Sequence, residues 1–194
     1  MTFLILGLVL FLGVHSTRVF AEDGRTRAIA RLGETGWKGL YSVVSLVGLA
    51  LIVWGFSLAR QQPVVLWTPP VMLKHLNSLF TLLAFLLVAA AYVPRNQIRA
   101  RLHHPMLLGV KLWAFGHLLA TALLADTVLF GAFLLWAVLA FRAARQRDRR
   151  LGTVYPAGNL AGTAGAVIVG VAGWAVFAFW AHAAWIGVPL FGGR

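Results

Sequence analysis

The sequence contains no cysteine and very few acidic residues. Of its 194 residues, five are Asp or Glu, 17 are Lys or Arg, and all charged residues together make up 11%. Soluble domains carry about 25% charged residues. This deficit, together with 60% hydrophobic residues, excludes an ordinary soluble protein and indicates an integral membrane protein. The missing cysteines exclude disulfides, thiolate ligation of haem iron and cysteine-based zinc sites.

The basic excess gives a formal net charge of +12, which raises the question of nucleic acid as a partner. However, the basic residues form short clusters between apolar runs, which is typical of the cytoplasmic loops of membrane proteins. We therefore expect no nucleic-acid partner and take the lipid bilayer as the environment of the chain.

The apolar runs predict an all-α bundle of about six transmembrane helices, forming a single domain over residues 1–194. Most of the runs approach the ~20 residues that cross a bilayer. They cover residues 2–20, 40–58, 71–92, 105–125, 127–141 and 163–189. Asp126 alone separates the fourth run from the fifth, which predicts a tight helical hairpin there. A five-helix count, with one segment of this pair re-entrant, stays open.

The loop charges predict the orientation of the bundle. The loops after the first, third and fifth runs carry twelve of the 17 Lys and Arg residues, and the opposite side carries Arg60, Lys74 and Arg194. Basic loops face the cytoplasm, so both termini are predicted to lie outside. Residues 19–21 resemble a signal-peptide cleavage site, but no basic residue precedes the apolar run. We therefore interpret this run as a membrane helix.

His15 and Arg18 are ionisable residues late in the first apolar run. On a helix, residues three apart project from one face, about 4.5 Å apart along the axis. This arrangement suits a haem, with the imidazole on the iron and the guanidinium near a propionate. The alternative is a histidine hydrogen-bonded to another helix and an arginine that reaches the lipid headgroups.

His117 lies twelve residues after Pro105, or roughly 18 Å along a helix, which places it near the middle of the membrane. Ionisable groups are costly there and often functional. We predict that His117 faces His15 across a haem. The two histidines reach similar depths if the first helix continues through residues 21–24.

Three neighbours of His117 bear on this prediction. Trp113 lies one turn before it, on the same helix face. Gly109 and Gly116 either leave room for a flat macrocycle or allow another helix to pack closely.

In the last run, His182 is either a packed, hydrogen-bonded histidine or a partner or substitute for an iron ligand. The small residues Gly162, Ala166 and Gly170 form a stripe that favours close helix packing, within the bundle in preference to a dimer.

His103 and His104 precede Pro105 at the predicted cytoplasmic surface. They mark either a helix start among lipid headgroups or a site for an anionic cofactor or lipid head. Asp148 lies among arginines in the loop after the fifth run. It belongs either to a solvated basic loop or to a salt-bridged cap near His104.

These residues together resemble the NnrU family of bacterial membrane proteins. The resemblance covers most of the chain, from about residue 4 to residue 155. It is carried by His15-Ser16 with Arg18, by the pattern of His104-Pro105, Gly109, Trp113 and His117, and by Asp148-Arg149-Arg150 with Tyr155-Pro156.

The resemblance implies a multi-pass protein of the bacterial inner membrane, associated with nitrite and nitric oxide metabolism in denitrifying bacteria. The family is similar to the 15-cis-zeta-carotene isomerase, a haem b enzyme. It therefore implies haem b as cofactor, His15 and His117 as metal ligands, and Arg18, Trp113 and His104 as further cofactor-binding residues. The isomerase's alternative cysteine ligand has no counterpart here. Whether the chain is an enzyme, isomerase-like or redox, stays open.

Three alternatives remain at this stage. The chain could be a cis-trans isomerase of a hydrophobic polyene such as zeta-carotene. It could also be a methyltransferase-like enzyme, because its His-Pro start and acidic-basic tail resemble the membrane isoprenylcysteine methyltransferases. The third alternative is a non-catalytic bundle that assists the assembly of a partner. The catalytic residues and the oligomeric state are not predicted.

Overall fold

The computed structural model describes residues 1–188, which fold into helices joined by short connections. The helices are α1 Thr2–His15, α2 Thr17–Phe20, α3 Glu22–Gln61, α4 Val71–Tyr92, α5 Gln97–Leu102, α6 Pro105–Ala120, α7 Leu124–Leu151, α8 Leu160–Val176 and α9 His182–Ile186. A π-helical turn, Phe177–Ala181, joins α8 to α9. Within residues 1–188 there is no β-strand, only two isolated bridges. The all-α prediction is confirmed.

Four helical stretches are long and apolar enough to cross a membrane: Glu22–Gln61, Val71–Tyr92, Leu124–Leu151 and Leu160–Ile186. The apolar helices α1 and α6 are shorter, with 14 and 16 residues. The predicted count of six spans and the predicted sides of the termini stay predictions. The last predicted span ends at residue 189, and that residue and Arg194 lie outside the described part of the chain.

The first predicted loop is helical instead. The first helix ends at His15, α2 is a single turn, and α3 begins at Glu22 and already contains the basic cluster. Ion pairs one turn apart support this part of α3: Arg25 contacts Glu22 at 3.1 Å, and Lys38 contacts Glu34 at 3.2 Å. The helical path breaks at Gly33, whose φ of 73° suits a residue without a side chain.

The break at Ala21 corrects one expectation. Its φ of −138° and ψ of 42° are not helical, so the first helix does not continue through residues 21–24. The condition under which we expected His15 and His117 to reach similar depths is therefore not met, and the pairing of the two histidines stays a prediction.

The chain forms two compact units. Unit 1 comprises residues 1–68 and 121–144, and unit 2 comprises residues 69–120 and 145–188 of the described chain. The single domain predicted over residues 1–194 stays a prediction.

In unit 1, α1 packs against α3 through glycines. An added Cβ on Gly7 would lie 2.6 Å from the backbone nitrogen of Ile52, and one on Gly48 would lie 2.7 Å from that of Phe11. The two backbones are therefore in direct contact. Leu4 is fully buried in the same interface.

In unit 2, α4 packs against both α6 and α8. Gly109 of α6 faces the carbonyl of Ala84, and Gly170 of α8 faces the backbone of Leu86. Ala166 is fully buried. The small-residue stripe of the last span therefore serves packing within the chain, as predicted.

The connection between α6 and α7 differs from the prediction. It consists of residues 121–123, and Asp126 lies in the first turn of α7, where a negative charge stabilises the helix dipole. The hydroxyl of Thr121 donates a hydrogen bond to the Asp126 carboxylate and accepts one from the backbone N–H of Leu123. These bonds fix the start of the helix.

Candidate functional site

His15, the last residue of α1, lies among aromatic side chains of unit 1. Its ring stacks on Phe11 at 4.2 Å between centroids, with Tyr41 at 5.1 Å and Trp136 at 6.1 Å. Its Nδ1 hydrogen-bonds the carbonyl oxygen of Phe11 at 2.6 Å. Within residues 1–188, Nε2 has no hydrogen-bond partner. The ring is thus held by its own helix, with one nitrogen available to a ligand.

Two polar atoms on this side of unit 1 are buried without a partner in the described chain, Ser45 Oγ and Trp136 Nε1. Ser45 follows Tyr41 by one turn of α3 and lies on the same helix face. Sequence reasoning missed Tyr41, Ser45 and Trp136. The spacing of Tyr41, Ser45 and Gly48 along one helix face was the signal that could have found two of them.

Arg18 lies in the short helix α2, which follows α1 after the single residue Ser16. Ser16 keeps dihedral angles in the right-handed helical region, with φ of −89° and ψ of −5°. The Arg18 side chain is 56% exposed, and its Nε lies 4.0 Å from the Glu22 carboxylate. The predicted shared face of Arg18 and His15 stays a prediction. The exposed Arg18 side chain is accessible to a carboxylate of a cofactor or to a lipid headgroup.

His117 is half-buried in α6 and repeats the local geometry of His15. Its Nδ1 hydrogen-bonds the carbonyl oxygen of Trp113 at 2.8 Å, and the two rings lie 5.5 Å apart. In both histidines an aromatic residue four positions earlier provides the carbonyl and the neighbouring ring. Within the described residues, no group of three or more His, Asp or Glu side chains is arranged to hold a metal ion.

The glycines near His117 serve helix packing. An added Cβ on Gly116 would lie 2.5 Å from Asn77 Oδ1 and 2.8 Å from the Cβ of Phe80. The space that Gly109 and Gly116 leave is filled by α4, so the interpretation that they make room for a macrocycle is wrong.

A polar cluster in unit 2 consists of His103, His104, Arg145, Asp148 and Tyr155. His104 Nε2 donates a hydrogen bond to Asp148 Oδ2 at 2.7 Å, and the Tyr155 hydroxyl donates one to the same oxygen at 3.0 Å. The His104 and Asp148 side chains are only 17% and 14% exposed. Of the alternatives for Asp148, the salt-bridged contact with His104 is therefore present.

The rings of His103 and Tyr155 complete the cluster. They stack nearly parallel, at 4.2 Å and 4°, and Arg145 donates a hydrogen bond to His103 Nδ1. The φ of His103 is 65°, which is uncommon for a residue with a side chain and costs about 1–3 kcal/mol. The stack and the arginine stabilise this turn. The Tyr155-Pro156 pair had marked this tyrosine in the sequence, but nothing indicated its stacking partner.

Electrostatics in the cluster favour an ionised Asp148 and a neutral Tyr155. Both groups lie outside the apolar part of the chain, since the last ten residues of α7 are rich in arginine. Burial alone would raise the pKa of the Asp148 carboxyl, but hydrogen bonds from His104 and Tyr155 outweigh it and hold the pKa below its usual range. Burial, and then the hydrogen bond to Asp148, raise the pKa of the Tyr155 hydroxyl.

The long apolar helices define a membrane protein with two anchored histidines and one polar cluster. The chain belongs to the NnrU family: the family described as "NnrU protein" matches residues 3–190, nearly its whole length. No curated protein and no solved structure matches the chain. The family resemblance inferred from the histidine pattern is therefore confirmed.

Proposed function

We propose that this protein is a multi-pass inner-membrane protein that binds haem b and acts in nitrite and nitric oxide metabolism. His117 and His15 would hold the haem iron, as the family resemblance implies. The observation that supports this is the shared anchoring of both imidazoles by a carbonyl of their own helix.

This anchoring has a direct chemical consequence. When Nδ1–H donates to a backbone carbonyl, the neutral ring keeps its lone pair on Nε2, and the hydrogen bond fixes the ring orientation. Metal-ligating histidines almost always have such an outer partner. His15 and His117 are therefore suited to an iron that takes imidazole nitrogen. A bound haem supplies one-electron redox chemistry and affinity for small ligands.

The other predicted cofactor-binding residues have different roles in this proposal. Trp113 supplies the carbonyl that anchors His117 and an aromatic wall beside it. Arg18 is exposed and able to pair with a carboxylate of the cofactor. His104 Nε2 donates a hydrogen bond to Asp148, so we assign His104 to the polar cluster and not to the iron.

The test is an absorption spectrum of the purified protein, oxidised and reduced, after expression with haem available. The expected result is a sharp Soret band that His117→Ala abolishes. His75→Ala is the matched control, because His75 is exposed at the outer predicted end of α4. A wild-type protein without a Soret band would refute the proposal. The role in nitrogen-oxide metabolism predicts that a deletion strain accumulates nitrite or nitric oxide during denitrifying growth.

A further inference from the structure

His103 lies in a strained turn between α5 and α6. Its φ is 65° and its ψ is −50°, and the His104 N–H donates a hydrogen bond to the Leu102 carbonyl oxygen at 2.8 Å. This is a γ-turn of the rare, strained form. The turn places the His103 ring on the ring of Tyr155, where the two stack at 4.2 Å. Strained residues of this kind are often found at ligand sites, which makes the His103 side chain a candidate for binding.

The hydrogen bond between Arg145 and His103 determines where the imidazole proton lies. A guanidinium only donates hydrogen bonds, so His103 Nδ1 accepts the one from Arg145. In the neutral ring the proton then lies on Nε2, which is a donor. Within residues 1–188 this Nε2 has no hydrogen-bond partner, and Arg145 uses only one of its N–H donors. The pair therefore presents donors, and no acceptor, to a ligand.

The positive charge of Arg145 is not neutralised by an ion pair inside the described chain. The nearby carboxylate, Asp148, accepts hydrogen bonds from His104 and Tyr155. It acts on Arg145 electrostatically, but the two form no ion pair at 4.0 Å or less. Arg145 is only partly buried, so a ligand can reach its guanidinium from the surface. A guanidinium beside a neutral N–H donor suits an anion, and arginine binds phosphate groups through charge-assisted hydrogen bonds.

Exposed apolar side chains adjoin this donor pair along the chain. Leu102 directly precedes His103, and Val154 directly precedes Tyr155; they are 39% and 88% exposed. Leu151, the last residue of α7, is 73% exposed. Large apolar side chains beside basic ones are typical of segments that lie at the boundary of headgroups and acyl chains. A phosphate at this level of a membrane belongs to a lipid.

We propose that His103 and Arg145 bind the phosphate group of an anionic phospholipid, with Tyr155 holding the His103 ring in place. The phosphate oxygens accept hydrogen bonds from His103 Nε2 and from the remaining N–H groups of Arg145. The site is separate from the proposed haem function, because neither residue is assigned to the iron. Of the alternatives for the turn before Pro105, this proposal selects the binding of a lipid head.

The experiment measures how phospholipids stabilise the purified protein against heat in a neutral detergent at about 0.15 M salt. A ligand that binds the folded state raises the melting temperature, so phosphatidylglycerol should raise it to a plateau, and the zwitterionic phosphatidylcholine should raise it far less. Arg145→Gln should increase the phosphatidylglycerol concentration at half-effect roughly tenfold. Arg149→Gln is the matched control, because Arg149 is an exposed arginine one turn further along α7, and it should leave that concentration nearly unchanged.

His103→Asn tests the site while leaving the arginine charge in place. Asparagine tolerates a positive φ, but its shorter amide does not extend to the position of Nε2. This variant should also require more phosphatidylglycerol than wild type. Native mass spectrometry should show fewer retained phosphatidylglycerol molecules on both variants than on wild type and Arg149→Gln. If Arg145→Gln does not fold, the comparison of His103→Asn with wild type decides.

Four outcomes would overturn the proposal. Equal shifts for Arg145→Gln and Arg149→Gln would show a diffuse attraction to basic residues. An unchanged lipid dependence of folded His103→Asn would show that the ring takes no part. Inorganic phosphate that stabilises wild type as well as phosphatidylglycerol does would show that the ligand is not a lipid, and equal effects of phosphatidylcholine would show that negative charge is not recognised. None of these outcomes depends on haem, so the proposed function would stand.

Discussion

Replacing Asp148 with asparagine is expected to destabilise the protein by about 2 kcal/mol near pH 7. The carboxylate accepts hydrogen bonds from His104 and Tyr155 at 2.7 and 3.0 Å, with a side chain that is 14% exposed. A hydrogen bond to a charged group contributes roughly 1.5–3 kcal/mol. The amide keeps one acceptor oxygen but loses the charge. For a chain of this size, the melting temperature should fall by about 4–8 °C.

The assay is thermal unfolding in detergent, followed by tryptophan fluorescence between pH 7 and pH 3. The folded protein lowers the pKa of the Asp148 carboxyl below its unfolded-state pKa of 3.8. The carboxylate therefore contributes fully to the stability of the fold above pH 3.8, and this contribution is lost as the pH falls through the lower folded-state pKa. The stability advantage of wild type over Asp148→Asn should therefore shrink as the pH falls from 3.8 towards 3. Glu34→Gln is the matched control, since Glu34 and its partner Lys38 are 76% and 73% exposed and such pairs contribute little. Equal effects of both substitutions, or a difference that persists unchanged at pH 3, would refute this reasoning.

Three further predictions use the same unfolding assay. Gly116→Ala should destabilise the protein by about 1–3 kcal/mol, because the added Cβ would overlap α4. Gly131→Ala is the control and should not destabilise it, because no atom lies within 4 Å of the added Cβ. Equal melting temperatures of the two variants would contradict the packing argument. Tyr155→Phe should lower stability by about 1 kcal/mol while keeping its ring stack, and an unchanged melting temperature would show that the hydroxyl contributes nothing. Gly187→Ala should cost about 1 kcal/mol, because its φ is positive; no loss would contradict the need for a left-handed residue there.

Composition and hydrophobic runs were sufficient to predict the all-α membrane class, because length and apolarity alone decide whether a helix can cross a bilayer. The run at 71–92 coincides with α4, which starts after Pro70 and ends before Pro94. Helical segments rich in charge were missed. The stretch that begins at Glu22 was interpreted as a loop because its basic residues dominate, whereas the observed helix uses ion pairs one turn apart.

The candidate sites were only partly predictable. Local patterns identified His15 and His117, since an ionisable residue inside an apolar run is visible in a single sequence. The contact of His104 with Asp148 was proposed from charge, and the structure contains it. Two features could not be inferred, because they depend on which helix faces meet. They are the stacking of His103 on Tyr155 and the burial of Asn77 Oδ1 without a hydrogen-bond partner among the described residues.

The carboxylate of Asp148 is the one acidic side chain of unit 2 within its described residues, and His104 and Tyr155 already engage it. Within the described residues, no arginine of that unit forms an ion pair with a carboxylate at 4.0 Å or less, and only Arg145 acts on Asp148 electrostatically. The charge of these arginines must be balanced from outside the protein, and the phosphates of anionic phospholipids provide such charge at a membrane surface. We therefore expect anionic lipid headgroups to neutralise these arginines. Extraction into a neutral detergent should lower the stability of the protein, and added anionic lipid should restore it.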